Sequence, residues 1–505
     1  MTARSSLFGA LVATVAIAGL PPAIGLAQAI PKGQQIIMPT PAPMPTQGGT
    51  PLPYPAYGSP APDVAHLKQR KGVPAVVSLQ QAVKIAVALS PVFAAQNAQW
   101  AAIHAKYTSE KQALFPAISG SGTIGNQYTN SSATTSRSGT VLPTPSSGPA
   151  SLSGSSTVAS ESLSITIQQL IYDGGRTIAA IHSAKSADYA GRATLLRSLQ
   201  TLSLNVANAY YAVLQNNATV VADAQLVKEF EVNELSVTAQ IRNGAAARSD
   251  LAAAQFQTAQ ARGNLVTAQG QAIGAQATFA TTLGLDADTQ AVPQQLGTQP
   301  QVPNPSYETS VKRAMLLRPD FIAAQYTVES DKEGLRYAKL ARFPILTAGA
   351  SDQVGRSFGP LAQLSNNSTS SFDNVKTLGL SLTIPIYDQG LTNYNVAVAA
   401  ATLDSANDSL RQTGLQVQSD VRSALANLIS ARALLVQTNA ELTAARVSLD
   451  ATQAQYRVGA TTIINVVTAE ANLSTAQADQ IQSLYGVQTA QQNYLYATGT
   501  SDLQL

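Results

Sequence analysis

Cysteine is absent from all 505 residues. Thiol catalysis, disulfides, cysteine-type zinc sites and a lipid-modified N-terminal cysteine are therefore excluded. Charge is scarce as well: Asp, Glu, Lys and Arg make up 12% of the chain, with a formal excess of only +3. No basic stripe of the kind that nucleic acid needs is present, so no nucleic-acid partner is expected. Histidine occurs at His66, His104 and His182 alone, each far from the others, and no metal site is expected. Walker A, H-E-x-x-H and G-x-S-x-G sequences are missing. The stretch GSGTIG (Gly120–Gly125) satisfies G-x-G-x-x-G, but NQYTNSSATT follows where a dinucleotide site needs a helix. The chain is accordingly expected to bind no cofactor and to be no enzyme.

Long apolar runs are confined to the start. One Arg precedes an apolar core from Leu7 to Leu20, and Ala27 and Ala29 give an A-x-A-like end. This has the form of a secretory signal peptide over 1–29, an N-terminal anchor helix being the alternative. No later window approaches ~18 uncharged apolar residues, so any membrane role falls to strands. Residues 30–76 are rich in Pro, Gly and Gln and read as an extended or disordered lead-in.

What is present in quantity is repetition. Val83 and Val311, Lys84 and Lys312, and Pro91 and Pro319 each stand 228 positions apart, as do Phe115 and Phe343. From Ile171/Ile386 to Gly284/Gly499 the spacing becomes 215 and holds without a gap. The chain thus divides into a first repeat (77–285), a linker (286–306), a second repeat (307–500) and a tail (501–505). Each repeat reads as a helical stretch beginning near Ser78 or its counterpart, a β-hairpin (117–171 and 345–387), then a long helix with a hairpin tip near Gly244 or Gly459.

The long segments carry heptads. Val421, Leu428, Leu435, Leu442, Leu449 and Tyr456 are spaced by sevens, with Ala424, Ala431, Thr438, Ala445 and Thr452 three places after. The first repeat gives Val206, Val213, Val220, Val227, Glu234 and Ile241. Large-over-small heptads of this length indicate a coiled coil. A single helix of roughly 70 residues would reach about 100 Å.

The strands alternate. Leu163, Ile165 and Ile167 interleave with Ser162, Ser164 and Thr166; Leu378, Leu380, Leu382 and Ile384 interleave with Gly379, Ser381 and Thr383. Apolar-out, small-polar-in alternation fits a membrane barrel, although a half-buried soluble strand has the same period. Phe115, Tyr172, Phe343 and Tyr387 fall at the four strand–helix junctions, where they fit an interfacial girdle or a plain core. In IYDGG and IYDQG, Asp173 and Asp388 are placed to act as N-caps, and Gly175 and Gly390 to relax the turn. Four strands cannot close a membrane barrel, whose smallest examples have about eight. An open edge facing lipid is forbidden, so such a chain must oligomerise.

A second repeated motif closes the pattern. AQIRNGAAARSDLAAAQ (Ala239–Gln255) and AQYRVGATTIINVVTAE (Ala454–Glu470) match in register, each ending one helix at a glycine and opening another. Arg242 and Arg457 stand near a helix C-terminus and Asp250 near an N-terminus, which capping alone would explain. With the double repeat, the YDGGR-like strand exits and the Y-x-x-G-x-x-x-x-x-[DN]-V-x-x-A-E tip, the chain resembles the TolC-type outer membrane efflux protein family over about Ser78–Thr500.

That resemblance implies a mainly α chain with a membrane β-barrel portion. A homotrimer would build a twelve-stranded β-barrel in outer-membrane lipid and a twelve-helix α-barrel through the periplasm of a Gram-negative cell. It further implies a passive conduit of a tripartite efflux or type I secretion assembly, driven by an inner-membrane pump. The tips (Arg242, Asn243, Gly244, Arg457, Val458, Gly459) would dock a periplasmic adaptor. The family often has an acidic residue six places after the tip glycine, at the pore constriction; Asp250 keeps it, and Asn465 does not. A secreted structural or adhesive coiled-coil protein is the rival reading.

Overall fold

The computed structural model describes residues 76–133, 152–244, 246–294, 305–358 and 370–501. The expected signal peptide, all but the last residue of the lead-in, much of the linker and nearly all of the tail lie outside them. Residues 67–505 belong to one compact unit.

The first repeat opens with β1 (Val76–Val77), α1 (Leu79–Leu89) and α2 (Pro91–Gln112). Strands β2 (Ala117–Ala133) and β3 (Leu152–Tyr172) follow, then α3 (Arg176–Arg242), α4 (Arg248–Thr282) and the short β4 (Val292–Pro293). The second repeat runs α5 (Tyr307–Leu317), α6 (Pro319–Lys339), a 3-10 turn (Leu340–Arg342), β5 (Ile345–Phe358), β6 (Ser370–Thr383), α7 (Leu391–Arg457) and α8 (Ile463–Ala497).

The helical stretch before each hairpin is two helices, not one. Ser90 (ψ 120°) and Arg318 (ψ 120°) are extended because each precedes a proline, which disfavours α conformation in the residue before it. Pro91 and Pro319 then start the next helix, where a missing N–H costs nothing. The N-terminus of α1 is closed by a capping box between Ser78 and Gln81.

α3 and α7 each hold 67 residues, about 100 Å of uninterrupted helix. Their heptad stripes face neighbours: Val206, Val213, Val421 and Leu428 are buried, and Leu435, Leu442 and Glu234 are half-buried. α3 packs against α2 and α6, and α6 against α7; towards the tips α3 pairs with α4, and α7 with α8. Each end therefore presents four helices per chain.

Three cores hold this arrangement. One gathers Tyr210, Tyr211 and Phe279 over α1. A matching one gathers Val417, Leu428 and Tyr494 over α5. The third, with Leu226, Phe230, Leu449 and Val466, binds the two hairpins to each other near their tips. Complete burial of such side chains contributes roughly 1.5–3 kcal/mol each.

The four long strands form one antiparallel sheet in the order β2-β3-β5-β6, so β2 and β6 are its edges among the described residues. The strands of the first hairpin hold 17 and 21 residues, longer than the alternating apolar stretch. In the second hairpin the expected boundary at residue 387 is wrong: β6 stops at Thr383, and Ile384, Ile386 and Tyr387 lie beyond it. Pro385, standing where the first repeat has Leu170, has no N–H to continue the ladder. GSGTIG lies inside β2. Among the described residues no helix is long and apolar enough to cross a membrane.

Candidate functional site

The two hairpin tips are built alike. α3 ends at Arg242 and α7 at Arg457, each placing a cation in the last turn, where it offsets the helix dipole. Gly244 (φ 76°) and Gly459 (φ 75°) follow in the left-handed region that glycine alone enters freely. At the second tip the Gly459 N–H donates to the Tyr456 carbonyl (3.0 Å) and the Ala460 N–H to the Gln455 carbonyl (2.9 Å). These bonds satisfy carbonyls that a helix end leaves open. Arg242, Asn243, Gly244, Arg457, Val458 and Gly459 are all exposed, Val458 at 79%. An apolar side chain kept so open at the tip is available for contact.

Asp250 lies in the first turn of α4 and is half-buried. Its Oδ2 accepts from the Tyr456 hydroxyl at 3.1 Å, which ties the first hairpin to the second. Burial first, and then the bond to Asp250, push the Tyr456 hydroxyl up to about 12, so it remains a donor at any physiological pH. Asn465 is exposed and donates from Nδ2 to Thr461 Oγ1 (2.7 Å). The sequence marked Asp250 and Tyr456 separately, one as a helix-start acid and one as a heptad position. Their pairing across 206 residues had no local signal.

Two turns into α8, Glu470 is only 1% exposed. Its Oε1 accepts from Asn233 Nδ2 of α3 (2.8 Å), and among the described residues its Oε2 has no hydrogen-bond partner. Burial, with Glu229 adding to it, pushes this carboxyl from the ordinary 4.5 up to about 7. Beside it a groove of about 620 Å³ runs between α3 and α7, lined by Lys228, Glu229, Arg446, Asp450, Tyr456 and Arg457 among others.

At the opposite end the strand–helix junctions are also alike, with one correction. The N-cap positions are Gly175 (φ 87°) and Gly390 (φ 86°), not Asp173 and Asp388. The aspartates still do the capping, from two residues earlier. Asp173 accepts from the N–H groups of Gly175 (3.0 Å) and Thr177 (2.6 Å); Asp388 accepts from Gly390 (3.1 Å) and Thr392 (2.7 Å). Burial opposes ionisation of Asp173, but hydrogen bonds from the Thr177 hydroxyl and from backbone N–H groups hold its carboxyl below the usual range. Phe115, Tyr172 and Tyr387 are exposed at this level; Phe343 is exposed too, yet it seats on Gly174, where an added Cβ would lie 2.4 Å from the Phe343 Cβ. Gly174 takes φ 70° there, and Gln389, its counterpart, takes φ 56°.

A further cluster, unseen in the sequence, sits where α5 meets α6. Arg318, 3% exposed, donates to Asp320 (2.6 and 3.1 Å) and to Asp420 (2.9 Å). Arg197 joins it, 3.6 Å from Asp320 and stacked 3.7 Å above the Tyr496 ring. The first repeat has Ser90 at the position of Arg318, so only the second copy is latched this way.

The model of the family described as "Outer membrane efflux protein" matches residues 82–285 and 311–500. The chain is 26% identical to the outer membrane protein TolC of Escherichia coli over 351 residues, 68% of this chain and 70% of that one. It is 24% identical over 340 residues to the outer membrane efflux protein BepC of Brucella suis, 66% of this chain and 71% of that one. Among solved structures, the CmeC outer membrane channel of Campylobacter jejuni shares the fold with a TM-score of 0.68, at 15% identity over 84% of this chain and 87% of that one. The chain belongs to the outer membrane efflux protein family, and like its relatives it is a protein of the Gram-negative outer membrane.

Proposed function

We propose that three copies of the chain close a passive conduit that carries cargo across the periplasm and the outer membrane. The observation that carries this reading is the four-stranded sheet whose two edge strands have no further partner among the described residues, together with the four-helix width at each end of α3 and α7. Unpaired strand edges in lipid leave backbone groups unsatisfied, at several kcal/mol each. Two copies would give about eight strands, a barrel just wide enough for its own side chains to fill. Three copies give twelve strands and a bore. The same arithmetic yields twelve helices, so barrel and helical wall close on one axis.

The exposed tips would dock a periplasmic adaptor joined to an inner-membrane pump, in a tripartite efflux or type I secretion assembly. Contact would come through Val458 and Arg457, with Arg242, Asn243, Gly244 and Gly459 setting the shape of the turns. The Tyr456–Asp250 bond would hold each chain's two tips together, and the three Asp250 carboxylates would line the closed entrance. Nothing in the site supplies energy; the pump would.

The test uses single-channel recording of the purified protein in planar bilayers. A steady conductance is the expected result, with cation preference reduced by Asp250→Asn. An inability to conduct, with the protein shown to be inserted, would refute the conduit.

A further inference from the structure

The register sorts the strand residues onto two faces. Ser119, Thr166, Ser351 and Thr377 share one row of the polar face. Ile118, Ile167, Ala350 and Leu378 share one row of the apolar face, the face that meets lipid in a membrane barrel. Among the strand residues whose side chains are described, the polar face carries a single charge, Asp373. The apolar face carries four: Glu161, Asp352, Arg356 and Lys376. A barrel ordinarily puts its charges on the other side.

These four are ordered. Glu161 of β3 stands directly opposite Arg356 of β5, and two rows nearer the helices Asp352 of β5 stands opposite Lys376 of β6. Lys376 Nζ lies 3.6 Å from Asp352 Oδ2, and both side chains are exposed. Strand rows are about 6.8 Å apart along the chain, or ~5 Å along the normal of a tilted barrel. The Glu161/Arg356 row therefore sits about 25 Å from the Leu346/Leu382 row, the height of a barrel's apolar band. It falls at the boundary away from the helices, on the outside of the cell. The Asp352/Lys376 row lies ~10 Å deeper, within reach of that boundary for a snorkelling lysine.

We propose that Glu161, Asp352, Arg356 and Lys376 form a lipid-side docking site for the phosphate-bearing head group of the outer-leaflet glycolipid, together with its bridging divalent cations. The proposal rests on the reading that the Leu-bearing face of the sheet meets lipid. Mixed charge selects this occupant. Arg356 and Lys376 suit phosphate oxygens, whereas the two carboxylates would repel a simple anionic phospholipid. A divalent cation bridging phosphates gives those carboxylates oxygen-coordinated partners at the same level. A plain anionic lipid would leave the two carboxylates without a partner, and a zwitterionic lipid, which can pair with both signs, is the background against which the glycolipid-specific effect is read.

The assembled wild-type protein would be reconstituted in phosphatidylethanolamine vesicles with added phosphorylated glycolipid and Mg²⁺, or with added phosphatidylglycerol. Its partner is the quadruple variant Glu161→Gln, Asp352→Asn, Arg356→Gln and Lys376→Gln, which removes two charges of each sign. The expected result is a rise in the melting temperature of the wild-type assembly with glycolipid and Mg²⁺, smaller with EDTA or with phosphatidylglycerol, and lost in the variant. An equal rise in the variant, or an equal rise with phosphatidylglycerol, would overturn the proposal. Conductance recorded from the same vesicles separates the two readings: conducting protein with no glycolipid-specific rise defeats this site alone, and wild-type protein that never conducts defeats the channel as well.

Discussion

Glu470 occupies an environment that its charged form tolerates poorly. With the carboxyl raised from 4.5 to about 7, the folded state holds a proton that the unfolded state has already released between those two values. Stability from this group is thus fully present below about pH 4.5 and lost as pH rises through 7, a loss on the order of 3 kcal/mol. Glu470→Gln should remove that dependence and raise the unfolding midpoint at pH 8, with little effect at pH 5. Denaturant titrations at the two pH values check this. Tyr456→Phe keeps the ring but removes the donor to Asp250, and should cost about 1 kcal/mol in tip pairing. The readout is conductance, expected to rise in the variant if the pair restrains the entrance. At this scale the sequence was legible where backbone geometry dictates the residue: Gly244 and Gly459 announced their left-handed turns. Glu470 was visible within its motif, but its burial depends on Asn233, 237 residues earlier, and no local pattern encodes that.

Among the elements, α3 and α7 were the most legible, since a stripe repeating every seven residues survives any change on the exposed face. Strand lengths were less so. The ends of β2 and β3 are Ser-, Gly- and Thr-rich and show no apolar alternation, while Pro385 cut β6 short. The latch at α5 and α6 was hidden because Arg318 reads as an ordinary surface cation until Asp320 and Asp420 are brought around it. Arg318→Ala would take the main cation from two half-buried carboxylates, Arg197 still facing Asp320, and should cost about 3 kcal/mol. Replacing all three together, Arg318→Met with Asp320→Asn and Asp420→Asn, should cost much less. Melting temperatures of the two variants give the comparison, and equal losses would show that packing, rather than unpaired charge, is what the latch supplies. Ser90→Arg in the first repeat should not create a second latch, since the partner aspartates are absent there: Val92 and Asn205 stand at the positions of Asp320 and Asp420.

On the proposed reading, the whole molecule supplies one part of a larger wall. Among the described residues its sheet ends on both sides in strands with no further partner, and large apolar side chains such as Leu378 and Leu380 stand open on one face. Duplication, the strand–helix order and the tips were all readable in the sequence, because each is a local sentence written twice. The antiparallel junction of β3 with β5, which fuses the two repeats into one sheet, was not, since it joins segments nearly 200 residues apart. The central claim, that one chain supplies one third of a closed conduit, is open to a direct measurement. Light scattering with detergent correction on the purified mature protein should give three times the single-chain mass. The natural absence of cysteine allows one cysteine placed in β2 and one in β6 to be cross-linked between neighbours into a closed three-chain ring. A monomer that stays soluble without detergent and forms no cross-link between these edges would contradict the account.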